Sequence, residues 1–312
     1  MKKMHYLFFP VFLFSSLHAL ENPRFKQHQR EAPFVQECYS LVLESYQNKN
    51  WNKTVEQAFL LLEECPTTVF AQDVLFYLAV SYFELEEYEK ANHYFSSYLK
   101  RQMTPKFFEE AFIYKFKIAE KYRTGTKKAV LGLKWVPARQ EALDIYEELI
   151  STLPNHELTA QSLFAKAELL AKGKDYKESI KTYQNLIQQF PKHFLAVRSY
   201  VEIGRVYLIQ SQKEYANQDF LELATINLHR ISAHFPSDEA VHEVEDMLLD
   251  MQEVYAKDLY EIALFYHRKN KPNAAYLYYK CILATYPATL IAKKAEKKMA
   301  DLHLSLQEAD HA

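Results

Sequence analysis

Five times along this chain an apolar helical run stops at a proline. The segments LLLEECP, ELISTLP, NLIQQFP, RISAHFP and CILATYP end at Pro66, Pro154, Pro191, Pro236 and Pro287, and the widest gap between them contains Pro105. Proline lacks the N–H a helix interior needs and pushes the preceding residue out of the helical region, so each marks a helix end. Recurrence of one supersecondary unit every ~35–50 residues is the signature of a helical solenoid, in which each unit buries its apolar face against its neighbours. Glycine content excludes the main competitors. The 312 residues include only 4 Gly, too few for the phosphate loops of a nucleotide-binding α/β fold or the turns of an all-β fold. At 49% apolar residues, with 23 Tyr and 21 Phe, the chain has too much core material to be disordered. Lys plus Arg is 38 against 40 Asp plus Glu, so there is no basic excess of the kind that binds nucleic acid.

Aligning the units sharpens the pattern. In QDVLFYLAVSYFELEEYEKANHYFSSYL, residues Leu75, Leu78, Ala79 and Tyr82 share one face of a first helix, and Tyr88, Ala91, Phe95 and Leu99 line a second. The same order recurs at Leu259, Ile262, Ala263, Tyr266, Ala275, Tyr279, Ile282 and Leu283, and again at Leu163, Ala167, Tyr176, Tyr183, Leu186 and Ile187. A small residue mid-helix lets paired helices approach where an aromatic ring docks. This large-small-aromatic order resembles the tetratricopeptide repeat. That resemblance implies an all-α fold, a right-handed superhelix of about six helical hairpins.

Less regular copies fill the remainder. Cys38–Tyr46 with Trp51–Leu62 forms a first hairpin, and Phe107–Tyr122 with Arg139–Thr152 a third, interrupted by 123–137, which is expected to be an irregular loop. Ile203, Gly204 and Tyr207 precede Ala224, Leu228 and Ile231 in a fifth. A long helix over 238–256 leads into the last copy, and 289–308 forms a polar capping helix. The domain plan is therefore a signal peptide at 1–19, an extended segment at 20–34, the solenoid at 35–308 and a tail at 309–312. The leader reading rests on Lys2-Lys3 followed by the apolar run YLFFPVFLF and Ser15-Ser16-Leu17-His18-Ala19. That run is about half the ~20 residues a membrane span needs, so export with cleavage is expected and no transmembrane span.

Chemical motifs are scarce. The sequence has no phosphate-loop pattern, no Gly-x-Ser-x-Gly and no Cys-x-x-Cys, so no catalytic residue, metal ligand or cofactor is assigned. His242-Glu243 opens like a metalloprotease helix, but Asp246 stands where the second His is required. Two descriptions fit Cys38 and Cys65, which open and close one antiparallel hairpin: a disulfide, or small buried residues. Cys281 has no partner within sequence reach. The faces left over once the core is assigned carry Tyr39, Leu43, Tyr46, Phe76, Val80 and Phe83, read as peptide-binding. In the last hairpin the corresponding residues Tyr260, Leu264 and His267 are candidates for a partner protein.

The stretch YEIALFYHRKNKPNAAYLYYKCILATYPATLIAKKAEKKMADL carries a narrower likeness. Ala263, Tyr266, Ala274, Ala275, Tyr286, Pro287, Thr289 and Ala292 fall in the order typical of the BamD (YfiO) family of outer-membrane β-barrel assembly components. At the front, Trp51, Cys65-Pro66-Thr67-Thr68, Phe70-Ala71 and Leu78-Ala79-Val80-Ser81-Tyr82 fit as well, and the likeness extends over most of 25–305. The resemblance implies a non-enzymatic periplasmic scaffold at the inner face of the outer membrane. Its partners would be the barrel-inserting subunit and unfolded barrel substrates. Family members usually carry a lipidated Cys after the leader, whereas Ala19-Leu20-Glu21 stands there in this chain, so attachment would run through a partner protein. The alternative is a soluble periplasmic repeat protein coordinating cell division or peptidoglycan synthesis. A lytic transglycosylase would need a separate catalytic domain, and a cytoplasmic secretion chaperone contradicts the leader.

Overall fold

Four of the helix-ending prolines follow a residue in nearly one backbone geometry. Cys65, Phe190, Phe235 and Tyr286 have φ between −126° and −136° and ψ between 52° and 59°, outside the helical region, as a residue preceding proline must. Each still donates its N–H one turn back, to Leu61, Leu186, Ile231 and Ile282 respectively, so the last carbonyl is satisfied before the chain turns. In this computed structural model, which describes residues 23–101, 105–130, 133–213 and 217–310, the described residues are helical apart from turns and one β-hairpin. The expected signal peptide at 1–19 lies outside the described residues. The chain divides into two compact units, Met1–Ala138 and Arg139–Ala312.

The first unit holds α1 (Pro23–Gln47), α2 (Trp51–Glu64), α3 (Phe70–Glu84), α4 (Tyr88–Arg101) and α5 (Phe108–Arg123). Helix α1 packs on α2, α3 sits between α2 and α4, and α5 closes against α3 and α4. Lys115 on α5 is fully buried, and its Nζ donates to Asn92 Oδ1 at 2.8 Å and Ser96 Oγ at 2.6 Å, fastening α5 to α4. Two expectations are corrected here. Residues 23–34 of the expected extended segment are helical instead, since α1 begins at Pro23. The stretch 123–137 is not an irregular loop either. It contains antiparallel strands β1 (Lys127–Val130) and β2 (Leu133–Pro137), pairing Lys127 with Pro137 and Val130 with Leu133, with a register shift at Lys128/Ala129. Val130, Trp135 and Val136 are strand-favouring residue types, and only two residues separate the strands in sequence.

The second unit runs α6 (Arg139–Thr152), α7 (Glu157–Lys172), α8 (Tyr176–Gln189), α9 (Phe194–Ser211), α10 (Asp219–His234), α11 (Ala240–Arg268), α12 (Pro272–Thr285) and α13 (Leu290–Asp310). The helix expected over 238–256 and the first helix of the last copy are one 29-residue helix, α11, which packs on α9, α10, α12 and α13. The final helix extends to Asp310, past the expected end at 308.

Within the second helices of the hairpins one small residue recurs a turn before a large buried ring. Ala91 precedes Phe95, Ala142 precedes Tyr146, Ser179 precedes Tyr183 and Ala275 precedes Tyr279, and all eight are at most 1% exposed. The first helices supply the matching hollow at Ala79, Ala167 and Ala263, each fully buried. Gly204 takes that place in α9, where a Cβ would meet Met247 Sδ at 3.4 Å.

The scarcity of glycine shows at the turns. Hairpins normally reverse through a left-handed residue just past the first helix, a place glycine fills without cost. Here Lys49, Glu86, Lys174 and Asn270 occupy it, with φ of 55°, 60°, 69° and 55°. Backbone bonds hold the strained residue in place: Glu86 donates to the Phe83 carbonyl and Glu87 to the Tyr82 carbonyl, with equivalent pairs at the other three turns. The turn is thus specified by hydrogen bonding and packing of the flanking helices rather than by glycine.

Candidate peptide-binding faces

Helix α3 is buried nearly all round. Every residue from Ala71 to Tyr82 except Asp73 is buried, so this helix has no free apolar stripe. That corrects two of the expected peptide-binding residues. Phe76 is 5% exposed and Val80 2%, and Phe76 stacks on Phe107 at 4.4 Å between ring centres, with Phe95, Tyr98 and Tyr114 around it. Both are core. Phe83 is half-buried, edge-on to Tyr88 and Tyr114.

The remaining candidates on α1 belong to a half-open aromatic belt carried by the first helices of the first unit. Tyr39 stacks on Phe70 at 4.4 Å, and its hydroxyl stands 3.5 Å from Asp73 Oδ2. Tyr46 leans on Tyr77 at 4.7 Å and meets Trp51 edge-on at 5.8 Å. Tyr77 in turn meets Phe107 at 5.8 Å, and Tyr114 stacks on Phe95 at 5.3 Å. Leu43 lies half-buried on α1 between the two tyrosines. Lys106 and Lys117 stand over the rings of Phe107 and Tyr114 at 4.7 and 4.8 Å. Sequence reasoning missed the half-buried Phe107 and Tyr114, and Tyr77, which is buried behind them.

Burial sets the chemistry of the belt. Burial first, then the neighbouring Tyr114, Tyr77 and Glu84, pushes the Tyr46 phenol up to about 12. Burial raises Tyr77 and Tyr114 as well. These hydroxyls stay protonated and act as neutral hydrogen-bond groups beside ring faces, a surface suited to polypeptide backbone with intervening side chains. The sign of the pH effect follows. Phenols raised on folding contribute stability that is complete below the unfolded value near 10 and lost as pH climbs toward 12. Urea unfolding midpoints should therefore hold steady up to pH ~10 and fall between pH ~10 and ~12, with one fewer late-titrating phenol in the absorbance of a Tyr46→Phe variant.

The last hairpin presents a different surface. Tyr260 is half-buried against Tyr279 at 5.6 Å, Leu264 is half-buried and His267 exposed, so the three trace a path from core edge to solvent along α11. Ile262, Phe265 and Leu277 are large apolar residues exposed nearby, and Leu277 reaches 65%. Cys38 is buried and Cys65 half-buried, and burial first, then the Cys65 charge, raises the Cys38 thiol. Cys281 is exposed, 3.9 Å from Thr285 Oγ1. His242 pairs with Glu245 at 2.9 Å on the solvent side of α11. Among the described residues no group of three His, Cys, Asp or Glu side chains could hold a metal ion, and no helix is long and apolar enough to cross a membrane.

A family model described as YfiO, outer membrane lipoprotein, matches residues 119–312, more than half of the chain. The chain belongs to the YfiO family. The family match is narrower than the likeness over 25–305 read from the sequence. It takes in the whole second unit and leaves the aromatic belt outside. Within the first unit a tetratricopeptide repeat model matches residues 73–102, the α3–α4 hairpin. Solved structures similar to this YfiO-family chain include a tetratricopeptide repeat protein from Parabacteroides merdae, 12% identical, TM-score 0.37, covering 85% of this chain and 98% of that one. MamA from Desulfovibrio magneticus is 12% identical with a TM-score of 0.36, covering 66% and 97%. The P58(IPK) tetratricopeptide domain is 15% identical with a TM-score of 0.32, covering 90% and 69%. Scores this low carry no weight beyond the likeness itself. Compared with curated proteins, the chain matches none.

Proposed function

We propose that this YfiO-family repeat protein is a non-enzymatic periplasmic scaffold of outer-membrane β-barrel assembly, seated at the inner face of the outer membrane. It binds unfolded outer-membrane proteins through the first unit and the barrel-inserting subunit through the last hairpin. The observation that carries the reading is the aromatic belt of Tyr39, Tyr46, Phe107 and Tyr114, four half-buried rings gathered against the buried Tyr77. Such a surface holds extended chain without demanding one sequence, since every peptide offers carbonyls to the hydroxyls and side chains to the rings.

Photo-crosslinking in intact cells tests both halves of the proposal. A benzoylphenylalanine at position 46 should capture unfolded barrel polypeptides, and one at position 267 should capture the barrel-inserting subunit. Capture of division or peptidoglycan-synthesis proteins alone, at both positions, would sink the assembly reading in favour of a soluble coordinating scaffold.

A further inference from the structure

The second unit contains a cavity of about 540 Å³ between α8, α9 and α10, lined by none of the residues the function above uses. Its floor is Tyr200, Ile203 and Asn227, each at most 5% exposed, and the Asn227 amide is anchored by donating to the Tyr200 carbonyl at 2.9 Å. Ile187, Pro191 and Phe235 form apolar walls, with Gln184, Gln188, Arg230 and His234 on the rim. The volume accommodates one large side chain together with its flanking backbone.

The charge of the lining is one-sided. No carboxylate lines the cavity, and its basic members are Arg230 and His234. Among the described residues no carboxylate pairs with the Arg230 guanidinium, and neither Gln184 nor Gln188 has a hydrogen-bond partner for its amide. His234 Nδ1 lies 2.8 Å from the Arg230 carbonyl, which can only accept, so that nitrogen carries the hydrogen, and the Tyr200 hydroxyl stands 3.4 Å from the same atom. The Arg230 charge also acts on the floor, where it opposes the effect of burial on the Tyr200 phenol. A slot walled by Ile187, Pro191 and Phe235, with a cation and two amides at its mouth, complements one kind of occupant. A large apolar side chain would fill the slot, an adjacent carboxylate would meet the guanidinium fork, and the glutamines would bridge the intervening peptide group.

We infer that the α8–α9–α10 cavity is a docking site for a polypeptide segment in which an aromatic or large aliphatic residue is followed by an acidic one. The site is independent of the aromatic belt. The two would bind different parts of a partner chain, or different partners.

The probe is a fluorescein-labelled peptide Ser-Gly-Phe-Asp-Gly-Ser, titrated against the full-length protein by fluorescence anisotropy. Beside it run the Ser-Gly-Phe-Asn-Gly-Ser and Ser-Gly-Ala-Asp-Gly-Ser versions. Saturable binding of the Phe-Asp peptide is expected, weakened about tenfold by either peptide change or by Arg230→Gln. Arg230 is exposed, so that variant should melt like the wild type, and Gln188→Ala, also exposed, should weaken binding several-fold. A Tyr46→Ala variant should bind this peptide unchanged, which separates the result from the fate of the belt. Absence of saturable binding, equal binding of the Asp and Asn peptides, or full affinity in Arg230→Gln would each overturn the assignment. So would self-association of the wild type that Arg230→Gln abolishes without peptide binding, since the cavity would then belong to a second copy.

Discussion

Phe76→Ala should destabilise the first unit by about 3–5 kcal/mol, the cost of a large ring removed from a packed core. The ring lies face to face with Phe107, is ringed by Phe95, Tyr98 and Tyr114, and is 5% exposed. Truncation leaves a void between α3, α4 and the start of α5 that a helix buried on every side has no room to collapse into. Phe83→Ala should cost less, because that ring is already half-exposed and touches only Tyr88 and Tyr114 among the rings. Denaturant unfolding followed by circular dichroism distinguishes the two. A Phe76→Ala protein as stable as the wild type would show that the α3 face has been assigned the wrong way round.

A second large effect is expected at Tyr279, and here two substitutions should move in opposite directions. The ring is fully buried among Tyr255, Ala263, Ala275, Ile282 and Tyr286 in the core of the last hairpin. Tyr279→Ala should therefore cost about 3–5 kcal/mol. The hydroxyl, however, is buried with no hydrogen-bond partner. It pays a desolvation cost that Tyr279→Phe removes while keeping the packing, so the phenylalanine variant should match or exceed wild-type stability by about 1 kcal/mol. Comparing the three proteins by thermal melting tests whether tyrosine is held here for packing alone. A phenylalanine variant less stable than the wild type would mean that the hydroxyl finds a partner after all.

The hairpin arithmetic was written into the chain. Each helix end is local chemistry, a proline whose predecessor must leave the helical region, and each close approach is marked by Ala or Ser one turn before a ring. Those signals act within a few residues, so they could be read at Pro66, Ala91 or Tyr279 without knowing what lay across the fold. The turns were harder, because Lys49, Glu86, Lys174 and Asn270 adopt a backbone state that nothing in their side chains announces. The strands at 127–137 and the fusion of two expected segments into α11 depend on pairing and packing with other parts of the chain.

The sites divide along the same line. Tyr39 and Tyr46 could be found because α1 has one buried and one open side, and a helix of that kind shows its outer face through its spacing. Phe76 and Val80 could not be told from Tyr77 by spacing. A helix enclosed by neighbours is apolar all round, and only the position of those neighbours shows that all three are buried. The cavity over Tyr200 is a stronger case. Its lining comes from three helices, and no single helix carries enough of it to leave a pattern. What the sequence by itself determined is the repeat, its helix ends and its small-large packing code, because these are settled by neighbours along the chain. What only the tertiary structure decided is which surfaces remain open, because exposure depends on what packs across space.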